Sequence, residues 1–145
     1  MLLIEGLHKQ FSNGFVGLES VDLTVNKTEI VSFIGTSGCG KSTLLRIIAG
    51  LDFPTYGTVR IDEQIITKPH SDISIIFQEA RLMPWLTVWE NIQFGLQHLP
   101  KSLRSLLTGE IIAKVGLTDF AKLLPRQLSG GMAQRVAIAP ALGIR

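Results

Sequence analysis

The sequence predicts an α/β fold in which a buried strand runs into a glycine-rich loop and then a helix. Three observations carry this. Residues 35–43 read G-T-S-G-C-G-K-S-T and satisfy the phosphate-loop pattern G-x-x-x-x-G-K-[ST]. The run before it, 29–34, is short, mostly apolar and rich in β-formers, while 43–49 after it is helix-compatible. A β-rich first half then gives way to an α-helical second half.

In chain order, Leu3, Glu5 and Leu7 alternate with other residues and read as a first strand, broken at Gly14. Residues 18–25 resume it, with Val21, Leu23 and Val25 on one face. The run 29–34 is expected to be a strand buried on both faces of a parallel sheet. The helix over 43–49 is expected to stop at Gly50, a C-cap residue. A turn over 52–57 leads to a strand at 58–61, and 74–77 reads as another buried strand ending at Gln78. Thr87 and Glu90 fit a capping box that opens a helix through Ile92, Phe94 and Leu96, closed by Pro100. A second amphipathic helix spans 102–115, with Gly109 as a weak point. A third short one spans 117–124, closed by Pro125.

The chain has 145 residues, 46% hydrophobic and 18% charged, which suits one domain, or part of a larger one, with a sizeable core. Its apolar runs fall short of the roughly 20 residues that span a bilayer. The N-terminus lacks the basic start and long apolar run of a signal peptide, so a cytosolic location is expected. Net charge is +2 with scattered Lys and Arg, which does not suggest nucleic acid as a partner. A single cysteine, Cys39, excludes an internal disulfide. It reads as a small filler of the loop, or as a somewhat reactive thiol near a helix N-terminus. His8, His70 and His98 are dispersed without metal-ligand spacing.

The glycine loop carries a chemistry. Its glycines let backbone N–H groups converge on one centre and cradle phosphate oxygens. Lys41 is placed to reach the β- and γ-phosphates, and the Ser42 hydroxyl to ligate Mg²⁺. The following helix directs its positive end at the same anion. A glycine-rich turn that merely contains Lys-Ser is the plain alternative. The expected ATP-binding residues here are Gly35, Thr36, Ser37, Gly38, Cys39, Gly40, Lys41, Ser42 and Thr43.

A second string, L-S-G-G-M-A-Q-R over 128–135, places Ser129, Gly130 and Gly131 before a helix running through Val136, Ile138 and Ala139. Ser129 can cap that helix, and the bare N–H groups at its start form a second anion site. Alone, it is only a capped turn. Combined with the phosphate loop, it makes the sequence resemble the ATP-binding subunits of ABC transporters. The resemblance extends from Phe11 to Leu142. It implies an ABC-type phosphate-loop ATPase core with an N-terminal antiparallel β-subdomain and an α-helical subdomain. The implied divisions are 1–86, 87–128 and 129–145.

The resemblance also implies a head-to-tail dimer. Ser129, Gly130, Gly131 and Gln134 of one subunit would then face the γ-phosphate held by the other. Gln78 matches the glutamine that contacts Mg²⁺ and water, so the implied metal contacts are Ser42 and Gln78. Phe11 matches the aromatic that stacks on adenine; a core aromatic is its other reading. Residues 77–88 read F-Q-E-A-R-L-M-P-W-L-T-V and resemble the nitrate, sulfonate and taurine importer subfamily. Met83, Pro84 and Trp85 form an apolar knuckle suited to docking a membrane permease. Alternatively, Trp85 packs under the helical subdomain.

Two departures stand out. The sequence given ends at Arg145, before the family's Walker B Asp and Glu and its switch histidine, so no complete catalytic set is expected in it. Without the Walker B strand, Ile30, Phe33 and Ile34 would keep an open edge. An N-terminal fragment without hydrolysis of its own is therefore the expectation. Pro140 stands where the family has Arg and is expected to distort the helix near its end. The implied function is ATP- and Mg²⁺-dependent import of an aliphatic sulfonate, taurine or nitrate. The implied partners are a second ATP-binding subunit, permease subunits and, indirectly, a substrate-binding protein. The implied place is peripheral, on the inner face of the membrane. A non-catalytic ATP- or permease-binding module and a soluble ABC ATPase are the alternatives.

Overall fold

The computed structural model describes residues 1–70 and 72–143, so the end of the expected 129–145 segment, residues 144 and 145, lies outside them. The chain divides into two compact units, one from Met1 to Ile73 and one from Ser74 onward.

The first unit is built on a four-stranded antiparallel sheet in the order β2-β1-β3-β4, with β1 Leu2–Gln10, β2 Val16–Val25, β3 Tyr56–Ile61 and β4 Gln64–Ile65. Helix α1, Lys41–Ile48, contributes Leu44 and Ile47 to a core shared with Ile4, Leu7, Leu18, Val59 and Ile66. Simple alternation along β1 does not hold. Ile4 and Leu7 are the buried pair, three residues apart, while Glu5 is exposed. A register shift between them, with Gly6 at φ +54° and its N–H donating to Asp22 Oδ1 at 2.6 Å, resets the phase. On β2, Val21, Leu23 and Val25 do share the inward face. Gly50, at φ +68°, follows α1 and returns its N–H to Ile47 O.

The runs 29–34 and 74–77 join no ladder among the described residues, which corrects the expectation of a parallel-sheet strand at 29–34 and a further buried strand at 74–77. A parallel strand is buried only by neighbours on its edges and faces, and here the ladder partners of β1 are β2 and β3. Ile30 and Ile34 are 96% and 95% exposed, whereas Phe33 packs against the first unit's core.

The second unit is helical. Its helices are α2 Val88–Gly95, α3 Lys101–Lys114 and α4 Gly130–Ile138. Val88 and Ile92 of α2, with Leu96 just beyond it, form one stripe at a spacing of four. That stripe meets Ile111, Ile112, Leu117, Val136 and Ala139. The capping box forms as the spacing predicts. Thr87 Oγ1 accepts from Glu90 N–H at 3.2 Å, and Glu90 Oε2 accepts from Thr87 N–H at 2.8 Å. Those bonds from Thr87 hold the Glu90 carboxyl below its usual range.

The expected helix at 117–124 is only a 3-10 turn, Thr118–Phe120. Its later carbonyls serve another helix: Ala121 O and Leu123 O accept the unpaired first N–H groups of α2, from Trp89 and Val88. Helix α4 stops at Ile138 and tightens into a 3-10 turn over Ala139–Gly143 that contains Pro140. The Pro140 ring lies on α2, where a Cβ added to Gly95 would come within 2.5 Å of it. Among the described residues, no helix is long and apolar enough to cross a membrane.

Candidate functional site

In the first unit, Phe11, Phe15 and Gly17 of the β1–β2 hairpin face Ser37, Gly38, Gly40, Lys41, Ser42 and Thr43 across a cavity of about 410 Å³. The structure therefore brings Phe11 and the glycine loop together, although some two dozen residues separate them in sequence. The lining is sorted by chemistry. Two hydrocarbon rings lie on the hairpin side; hydroxyls, backbone N–H groups and an ammonium lie on the loop side.

Backbone contact sets the spacing. Gly40 has φ +91° and caps α1. A Cβ there would lie 2.2 Å from Gly17 O and 2.8 Å from Leu18 Cδ2. A Cβ on Gly17 would in turn lie 2.7 Å from Phe11 Cε2. Among the described residues no side chain caps the start of α1, so its first N–H groups are left for an anion.

Lys41 Nζ donates to Gly35 O at 2.8 Å, Thr36 O at 2.7 Å and Cys39 Sγ at 3.3 Å, placing a cation inside the loop. Cys39 is exposed; its Sγ accepts there and lies against Gly35, 2.8 Å from a Cβ built on that glycine.

Lys9, missed in the sequence, braces the hairpin side. Its Nζ donates to Asp52 Oδ1 at 2.7 Å and to Phe53 O at 2.6 Å, and it lies 5.4 Å from the Phe11 ring centroid. The Lys9 hydrogen bond, aided by Phe53 N–H, holds the Asp52 carboxyl below the usual range despite partial burial. A carboxylate with a lowered folded pKa stabilises above its unfolded pKa, and that gain fades as pH falls through the folded value. Asp52→Asn is accordingly expected to cost about 1–2 kcal/mol at neutral pH and to flatten the loss of stability in acid. Unfolding curves from pH 7 down to about pH 3 check this; an acid limb as steep as the wild type's would refute the assignment.

The remaining expected site residues lie in the second unit. Gln78 is exposed, in the bend that follows Phe77. Ser129 caps α4, its Oγ accepting from Met132 N–H at 3.2 Å, and Gly130 and Gly131 are exposed beside it. Among the described residues, nothing lies within 4 Å of a Cβ built on either glycine. Gln134 Nε2 donates to Phe77 O at 3.2 Å, so its amide is engaged within the unit. Trp85 is 71% exposed and does not pack under the helices. It lines a shallow groove of about 360 Å³ with Phe94 and Arg104.

Asn91 holds the 83–87 loop and was also missed. Its Oδ1 accepts from Met83 N–H at 2.8 Å, and its Nδ2 donates to the carbonyls of Met83, Leu86 and Thr87. The sequence carried a signal for Phe15, a lining residue it had not singled out, and for Asn91, but none for Lys9. Asn13-Gly14 marks a turn that sets Phe15 across from Phe11, and Asn91 stands among the buried positions of an otherwise apolar stripe.

A model of the ABC transporter family matches residues 18–144. The chain belongs to the ABC transporter family. A bicarbonate transport ATP-binding protein, CmpC of Synechococcus elongatus, is 47% identical over 150 residues, covering 98% of this chain and 23% of CmpC. The aliphatic sulfonates import ATP-binding protein SsuB of Bacillus cereus is 47% identical over 142 residues, covering 96% of this chain and 56% of SsuB. The chain thus spans from a quarter to about half of these ABC relatives. Among solved structures, the ATP-binding cassette MJ0796, a post-hydrolysis dimer bound to ADP and Pi, superposes with a TM-score of 0.85 at 36% identity. That match covers 98% of this chain and 69% of the cassette. The fold is that of an ABC ATPase cassette.

Proposed function

We propose that this chain supplies the ATP-binding half-site of an ABC importer subunit that drives uptake of a small anion. The observation that carries the reading is the sorted cavity: a flat apolar end at Phe11 and a cationic, N–H-rich end at residues 37–43. A nucleoside triphosphate has the matching polarity. Gly35, Thr36, Ser37, Gly38, Cys39 and Gly40 would wrap the phosphates, and Lys41 would exchange its carbonyl partners for phosphate oxygens. Mg²⁺, when bound, neutralises phosphate charge. The lining suits it, since Ser42 offers a hard oxygen on the cavity wall; Gln78 as a second contact rests on the family resemblance alone. No cluster of three His, Cys, Asp or Glu that could hold a metal occurs among the described residues, consistent with an ion that arrives on the phosphates.

Ser129, Gly130, Gly131 and Gln134 would face the nucleotide of a second copy. The open space around both glycines supports this, since packing among the described residues does not require them to be glycine. The exposed Pro84 and Trp85, beside a half-buried Met83, support docking on a permease, and hence a peripheral place at the membrane. The cargo is a small anion. Sulfonate, taurine and nitrate follow from residues 77–88, and the CmpC relative adds bicarbonate.

Calorimetric titration of Mg-ATP into the 145-residue chain tests the reading. Lys41→Ala is expected to weaken binding about tenfold or more, the loss of ~1.4 kcal/mol. Equal affinity in the two proteins would reject it. Among the described residues no carboxylate lines the cavity, so phosphate release at background level is expected. Turnover that Lys41→Ala abolishes would contradict that expectation.

A further inference from the structure

We propose that Phe15 is a second aromatic contact for the purine base, so that the base end of the site is a two-ring wall rather than a single platform. This rests on the reading of the cavity as a nucleotide site. Phe15 lines the same cavity as Lys41, Ser42 and Thr43. Its ring lies 6.1 Å from that of Phe11, centroid to centroid, at an interplanar angle of 27°. It is 56% exposed, so it adds little to the core; a large ring left in water at the mouth of a polar cavity has a face to offer.

The ring is also held in place. Phe11 N–H donates to Phe15 O at 2.8 Å, and Phe15 N–H donates to Asn13 Oδ1 at 3.1 Å. Gly14 N–H closes the turn on Phe11 O at 2.9 Å, and Gln10 Nε2 reaches Gly14 O at 3.2 Å. Both backbone polar groups of Phe15 are therefore engaged, which fixes where its side chain starts. Neither Phe11 nor Phe15 carries a hydroxyl or amide, so the wall grips a base by stacking and apolar contact and reads no hydrogen-bonding edge. Stacking of a base on an aromatic side chain is strong enough for the loss of one ring to be measurable.

The experiment compares Mg-ATP with inorganic tripolyphosphate on the 145-residue chain, using Phe15→Ala, Phe15→Tyr and Lys41→Ala. Phe15→Ala is expected to raise the Kd for ATP about five- to tenfold. It should leave the Kd for tripolyphosphate and the unfolding midpoint unchanged, and Phe15→Tyr should restore ATP affinity. An unchanged ATP Kd in Phe15→Ala would overturn the proposal. So would parallel losses of both ligands, which would mean damage to the loop instead. If the wild type binds both ligands equally and Lys41→Ala binds neither, the phosphate end stands and the base wall falls. If the wild type binds neither ligand, the nucleotide reading itself fails.

Discussion

Gly40→Ala is expected to abolish nucleotide binding and to lower the stability of the first unit by about 3 kcal/mol. Two penalties combine. A residue with a side chain at φ +91° carries a left-handed cost of about 1–2 kcal/mol. The added methyl would also stand 2.2 Å from Gly17 O, a backbone atom of a paired strand that cannot rotate away. Relief requires the loop to move off β2, which opens the cavity and misaligns the first N–H groups of α1. Gly38→Ala separates the two causes, because Gly38 has φ +85° but nothing within 4 Å of its Cβ direction among the described residues. It should show only the backbone cost, about 1 kcal/mol. Hydrogen exchange at β1 and β2 amides, with ATP titration alongside, reads both variants. Equal behaviour of the two alanines would rule out the close contact with β2 as the cause.

Asn91→Leu is expected to destabilise the second unit by about 3 kcal/mol and to free the 83–87 loop. Leucine has a similar volume and faces the same interior, so loss of packing contributes little. The cost comes mainly from Met83 N–H and Leu86 O losing their side-chain partner within a mostly buried space, while the Met83 and Thr87 carbonyls each keep a backbone donor, Leu86 N–H and residue 91's own N–H. Urea unfolding gives the free energy, and exchange of the Met83 amide reports the loop. Undiminished protection of that amide would show that the loop is held by something else. Trp85 belongs to this loop, so the variant also loosens the knuckle proposed to dock a permease.

What the sequence revealed was mostly local. The Thr87 and Glu90 box, the cap by Ser129 and the stop at Gly50 each depend on a few neighbouring residues, and each stands where the pattern places it. The glycine loop was legible for the same reason. What escaped depended on distant partners. The apolar run at 29–34 has the composition of a buried strand, but burial is conferred by neighbouring strands, and composition does not supply them. The phase of β1 turned on one bulge at Gly6, tied to Asp22 across the sheet. The Leu117 region had helical spacing, yet its carbonyls were claimed by α2. Asn91 and Lys9 are polar residues whose partners converge only after folding. Phe15 needed one further step, from the Asn13-Gly14 turn to the pairing across it.

The contacts that run from Phe11 through Gly17 to Gly40 have a consequence for how this site is inherited. The separation of its two ends is set by a ring resting on one glycine and by that glycine's carbonyl resting against another. No rotamer can absorb a side chain at position 40, which meets backbone, and one at position 17 has to displace the Phe11 ring. Positions 11, 17 and 40 should therefore pass between generations as a single unit: a bulkier residue at 17 is viable only with a smaller one at 11, and position 40 has no substitute. Position 38, by contrast, answers to its backbone angle alone, since nothing among the described residues lies within 4 Å of a Cβ built there. The spacing of the proposed nucleotide site thus rests on three residues, only two of which belong to the motifs that made it recognisable.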